Sequence, residues 1–150
     1  MKKKGIEDEA YSLLQNSIDQ LLAALANRLG RHQFTFDEQE IQWIEDLARA
    51  FVKSGRKRFN NERVEDADLL TMELGTYDCE AIRHHVGGIW EICSVKKDPA
   101  YGRAVLLAKG GASGDLPRID PIPIIDILQR MPRGAWLDTI KHFKNPKSFF

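Results

Sequence analysis

Residues able to do chemistry crowd into one stretch of this 150-residue chain, Leu74–Val95. It holds Glu80, Arg83, His84, His85, Trp90 and both cysteines, Cys79 and Cys93. Glu80 and His84 stand at i and i+4, so on a helix they share a face suited to binding a metal or relaying a proton. Zinc sites need three or four protein ligands, and Asp78, Cys79, His85 and Cys93 fall into no ligand spacing. Neither His-Glu-x-x-His nor Cys-x-x-Cys occurs, so no metal or cofactor is expected. The plainer reading is an exposed stripe with a Glu80–His84 or Glu80–Arg83 pair near a helix end, where a histidine suits the dipole. Cys79 would need a base and an electropositive setting to be a nucleophile, and Arg83 and His84 supply the raw materials. Burial as a small apolar filler is the commoner fate of such a cysteine. A Cys79–Cys93 disulfide is geometrically possible across Gly87-Gly88, but a chain without export signals stays reduced. No catalytic residue is assigned.

Other candidates fail on spacing. Gly110–Asp115 lacks the Lys-Ser/Thr of a P-loop and the last glycine of a Gly-x-Ser-x-Gly elbow, and reads as a mobile surface loop. Arg56-Lys57-Arg58-Phe59 is a basic helix end. Arg130, Arg133, Lys141, Lys144 and Lys147, with Phe143, Phe149 and Phe150, could contact phosphate, but no nucleic-acid motif accompanies them. Opposite in sign, Glu62, Glu65, Asp66, Asp68, Glu73, Asp78 and Glu80 face Arg63 alone. A solvated helix face is the simplest account, and an acidic helix also suits encounter with a basic partner.

The elements that position these groups follow from periodicity. Residues 6–29 place Ile6, Ala10, Leu13, Leu14, Ile18, Leu21, Leu22, Leu25 and Leu29 at helical spacing, with Gly30 as a stop. A second helix is expected from Thr35, capped by its hydroxyl with Glu38 answering, to Gly55. Acidic residues lead along it and basic residues follow, complementing the dipole. Asn60–Arg63 reads as a polar joint, and a third helix runs from about Glu65 to Val86. Gly75 in its middle costs roughly 1 kcal/mol against alanine, which implies close packing there. After Gly87-Gly88, the segments 89–96 and 103–109 form a hairpin around the turn Asp98–Gly102, and must lie against the helices. Asp120-Pro121 opens a short helix through Met131, unless 118–125 is an edge strand. Residues 135–143 form a last helix and 145–150 a tail. The fold class is α+β: three N-terminal helices packed on a small antiparallel sheet, closed by one or two short helices, in a single domain.

Twenty-two basic and twenty-two acidic residues cancel, which argues against nucleic acid and anionic membrane as partners. Lys2-Lys3-Lys4 is followed at once by Ile6-Glu7-Asp8-Glu9 with no apolar run, so the expected location is the cytosol.

Leu74-Gly75-Thr76-Tyr77, then Glu80, then Gly87-Gly88-Ile89-Trp90 is similar to a pattern in a bacterial domain family of unknown function. There, a helix reading Leu-Gly-x-Tyr-x-x-Glu leads through Gly-Gly-x-Trp into a sheet. The likeness covers Leu69–Val95, consists mostly of structural residues and leaves out Cys79 and His84-His85. It implies a bacterial α+β domain and carries no activity.

The functional expectation is a non-enzymatic cytosolic interaction protein, in its most concrete form an immunity-type inhibitor of a toxin or effector, with a basic protein as partner. Binding would draw on Asp66, Asp68, Glu73 and Glu80, and on a free sheet edge that accepts a partner strand. The alternative is a small enzyme or ligand-binding domain around Tyr77, Glu80, Arg83, His84 and Trp90. There Glu80 would be acid or base, Arg83 would hold an anion and Trp90 would form an apolar wall. A third possibility is a homodimer formed through the leucine face of residues 6–29.

Overall fold

The computed structural model describes residues 2–109 and 118–145, with side chains from Glu9 onward. The Gly110–Asp115 loop and all but Asn145 of the tail lie outside the described residues. The fold is α+β. Helices α1 (Lys2–Arg28), α2 (Glu38–Lys53) and α3 (Ala67–Val86) come first. Strands β1 (Arg58–Phe59) and β2 (Glu62–Arg63) form a small hairpin between α2 and α3. Strands β3 (Gly88–Ile92), β4 (Ala104–Ala108) and β5 (Arg118–Ile119) form an antiparallel sheet in that order. Two short helices, α4 (Pro121–Asp126) and α5 (Ala135–Lys144), close the chain. No described helix is long and apolar enough to cross a membrane.

α3 is the axis of the fold. Twelve of its residues, Leu70, Thr71 and Glu73–Ile82, are buried. α1, α2, α4, α5 and the sheet all pack on it. Being enclosed on every side, it carries apolar and small residues around its whole circumference rather than on one stripe. The expected solvated acidic face is therefore corrected: Glu73, Asp78 and Glu80 are 0%, 3% and 6% exposed. Gly75 shows why the helix tolerates a weak helix former. A Cβ there would lie 1.9 Å from the Pro121 carbonyl oxygen, so α4 can seat on α3 only where the side chain is absent. From Leu14 onward the leucine face of α1 is used within the monomer: Ile18 and Leu25 are core, and Leu14, Leu22 and Leu29 pack against it, whereas Leu13 is exposed.

Several boundaries move for local reasons. α2 begins three residues after Thr35, because Asp37 is its N-cap and accepts the Glu40 backbone N–H at 2.7 Å. Glu40, not Glu38, answers, accepting the Phe36 N–H at 2.9 Å. The polar joint is a hairpin in which Asn60 and Asn61 take φ of 51° and 68°, the left-handed pair that asparagine tolerates in tight two-residue turns. Both readings of 118–125 hold in part: Arg118–Ile119 pairs with β4, then Asp120 caps α4 with Pro121 in its first turn. A 3₁₀ turn, Leu128–Arg130, replaces the end of the expected helix.

On the sheet, Trp90, Leu106 and Ile119 share the face turned to α3 and are core or packed against it. Cys93, Ala100 and Val105 form a second, smaller apolar cluster at the hairpin end.

Candidate functional site

Of the residues with expected roles, Glu80, Arg83 and Trp90 do come together. The Arg83 guanidinium donates to the two Glu80 oxygens at 2.8 and 3.1 Å, and the Trp90 indole N–H donates to Glu80 Oε1. This places strand β3 against α3 and satisfies the carboxylate with three donors. A carboxylate so enclosed suits a structural clamp better than a proton shuttle. His84 is not part of it; its exposed ring lies 5.4 Å from the Phe36 ring. His85 hydrogen-bonds the Phe36 carbonyl through Nε2 at 2.6 Å, which leaves Nδ1 to accept from Lys144 at 3.2 Å. Among the described residues, no group of three or more His, Cys, Asp or Glu is placed to hold a metal.

The other candidates disperse. Tyr77 is fully buried and donates its hydroxyl to Glu40 at 2.9 Å. Burial, and then the Glu40 charge, push the phenol far above its ordinary range. Glu73 is gripped by Arg28 at 2.8 and 3.1 Å. Asp66 caps α3 through the Leu69 N–H, and Asp68 is exposed in the first turn. Cys79 is buried and burial raises its thiol well above the ordinary value, so it is a core residue without a thiolate. Cys93 is a buried free thiol facing the Arg118 guanidinium at 3.4 Å.

Buried acids emerge as the organising chemistry. Glu40 accepts from the Thr35 and Phe36 backbone N–H groups, the Thr35 hydroxyl, Arg31 and Tyr77. It thereby ties the Arg31–Asp37 connection to α3. Glu45 accepts from the Gly134 and Trp136 backbone N–H groups at 2.9 and 2.8 Å, and from Arg49. Burial alone would raise the Glu45 pKa, but those two amides, Arg49 and Gln42 outweigh it and hold it below the usual carboxylate range.

Asp78 is the exception. It is buried, and its Oδ1 has no hydrogen-bond partner among the described residues. Burial, and then the nearby Glu45 charge, raise its pKa well above the ordinary value. Two residues along a helix are about 200° apart, so Asp78 points away from the Glu80 clamp. It lines an apolar cavity between α3, α4 and α5 with Ile82, Ile124, Leu128 and Trp136. In the sequence Asp78 stands out only as one of seven acidic residues and as a metal-ligand candidate without a ligand spacing. The signal was Gly75 one turn earlier, which marks this face of α3 as packed.

A different surface lies at the edge of the sheet. β3 is an outer strand, and no described residue forms a backbone hydrogen bond to its side away from β4. Ile89, Ile92 and the following Val95 are 48%, 50% and 53% exposed. α1 packs beside β3 and carries Tyr11 and Leu13, also exposed.

Comparison of the chain with protein-family models, with curated proteins and with solved structures found no match.

Proposed function

We propose that this chain is a non-enzymatic interaction protein and that its partner docks on strand β3. The observation that carries the reading is the edge itself. Outer strands are normally blunted by charge, proline or a covering element, because their unpaired backbone groups invite another strand. β3 has one charged residue, Glu91, and exposes two isoleucines at about half their surface. A partner strand would gain main-chain hydrogen bonds along this edge and pockets for alternate side chains. Exposed apolar side chains on β3 and on the adjoining α1 would extend the contact.

The expected acidic surface contributes less than its sequence implied. Glu73 and Glu80 are buried in ion pairs, which leaves Glu62, Glu65, Asp66 and Asp68 to attract a basic partner. In a bacterial cytoplasm, a small protein of this kind fits the immunity or cognate-inhibitor role, in which one tight contact blocks a toxin or effector.

The test is native mass spectrometry of the tagged protein purified from its host, beside the double variant Ile89→Lys, Ile92→Lys. A stoichiometric second chain on the parent, absent from a variant with unchanged circular dichroism, is the expected result. A bare 17.1 kDa parent, or a partner retained by the variant, would overturn the reading.

A further inference from the structure

We infer that the segment docking on β3 is an apolar strand with acidic residues at both ends and none at its middle. The inference rests on the reading of β3 as the docking edge and supplies the chemistry of the partner.

Hydrogen bonds at the two ends of β3 fix which of its backbone groups are free. The Lys109 N–H donates to the Gly87 carbonyl at 3.0 Å, and the Cys93 N–H to the Arg103 carbonyl at 2.9 Å. Residues bonding to the neighbour alternate in an antiparallel ladder, so Ile89 and Glu91 also bond to β4. Gly88, Trp90 and Ile92 then turn their N–H and C=O groups to the open side. Trp90 is enclosed, at 4% exposure, whereas Gly88 is half-buried and Ile92 exposed. A partner strand meets Gly88 and Ile92 first.

Charge follows a definite order along this edge. At its start the exposed Lys109 lies against Gly87, where an added Cβ would meet Lys109 Cδ at 3.2 Å. Glu91 is exposed at the middle. Past Ile92 and Val95 come Lys96 and Lys97, both exposed. The neighbouring acid, Asp98, is engaged by Arg118 and by the Ala100 N–H at 2.8 Å. Among the described residues, neither these three lysines nor Glu91 forms an ion pair. The edge reads positive, negative, positive.

Lysines beside an edge strand repel unwanted strands, and their order here says which. A second copy paired antiparallel about Trp90 would bring the Lys96-Lys97 end of one chain toward the Lys109 end of the other. It would also set Glu91 diagonal to its own equivalent, so charge disfavours that occupant. A strand with acidic ends matches the lysines, and a middle without acid avoids Glu91. Ile89, Ile92 and Val95, each about half exposed, meet its apolar side chains.

Two peptides with blocked termini are the probes, Glu-Glu-Val-Thr-Val-Thr-Val-Glu-Glu and the same sequence with lysine for each glutamate. Their charge is symmetric, so the test holds for either strand direction. Each is titrated into the full chain at low salt while amide NMR shifts are followed. The expected result is saturable shifts of the Gly88 and Ile92 amides, with the acidic peptide at least about fivefold tighter. Several exposed charge pairs, each small alone, supply that ratio, and salt should shrink it. The exposed-site variant Lys96→Glu, Lys97→Glu, Lys109→Glu should reverse the preference. Equal binding, tighter binding of the basic peptide, or an undiminished preference in the variant overturns the inference and leaves the β3 reading standing. The same holds if those amides shift on dilution of the chain alone, which would place a second copy on the edge. No shift from either peptide overturns both.

Discussion

Glu45 on α2 caps a helix 91 residues away: its Oε1 accepts the Trp136 backbone N–H at 2.8 Å, and its Oε2 accepts that of Gly134 at 2.9 Å. Gly134 is the N-cap residue of α5 and takes φ of 93°, a conformation that suits glycine. It has no side chain to satisfy the first amides of the helix, and a distant carboxylate does so instead. Glu45→Ala would leave those amides and Arg49 without their acceptor in a buried setting. Loss of about 3 kcal/mol is expected, since breaking a buried charged network is among the most costly substitutions. Urea unfolding with an unchanged denaturant slope is the measurement. A loss below about 0.5 kcal/mol would show that water replaces the cap.

Glu45 and Asp78 give opposite pH dependences. The folded pKa of Glu45 is depressed, so its stabilisation is present above the ordinary carboxylate value and lost as pH falls through the folded one. That of Asp78 is raised, so between the ordinary value and the folded one the native state holds a proton that the unfolded chain has released. Asp78 therefore lowers stability progressively as pH rises through that window. Asp78→Asn should flatten the decline on the alkaline side and leave the acid limb in place. Urea midpoints at a series of pH values separate the two. A parallel downward shift of the whole curve would contradict the assignment to Asp78.

The fold was largely legible because its helices announce themselves by period, cap and stop. Gly30, Gly87-Gly88 and Asp120-Pro121 sit where elements change. What periodicity misjudged is α3. A helix buried on all sides has no stripe, so its acidic residues looked like a solvated face when three of them are held inside the protein. Their partners, Arg28 for Glu73 and Trp90 for Glu80, are distant or lie across the glycine corner, and spacing does not encode such pairs. The cap of α2 slipped from Thr35 to Asp37 for a smaller reason: two candidate capping residues stood two positions apart, and Phe36 adopts a left-handed backbone (φ 57°) that sequence does not favour.

Gly75→Ala tests the seat of α4. The added Cβ would meet backbone, the Pro121 carbonyl oxygen at 1.9 Å, and backbone cannot yield as a flexible side chain does. Helix propensity would favour alanine by about 1 kcal/mol, and the clash must exceed that for the variant to be destabilised. A net loss of about 2 kcal/mol is expected, since forced repacking of a tight contact commonly costs 1–3 kcal/mol. A more stable variant would mean that α4 shifts freely.

Glu80 divides the structural from the catalytic account of the most suggestive segment in the sequence. Its carboxylate is 8% exposed, while the Arg83 side chain that covers it is 38% exposed. Removing the arginine by Arg83→Ala leaves a nearly buried carboxylate with the Trp90 N–H as its remaining donor. The pair is partly screened by water, so the expected loss is about 2 kcal/mol rather than the larger figure for a fully buried pair. Glu80→Gln should cost less, about 1 kcal/mol, because an amide oxygen still accepts from Trp90. The clamp reading therefore predicts that Arg83→Ala destabilises more than Glu80→Gln. The reverse order, measured by thermal or urea unfolding, would indicate that the Glu80 charge serves something other than holding β3 to α3.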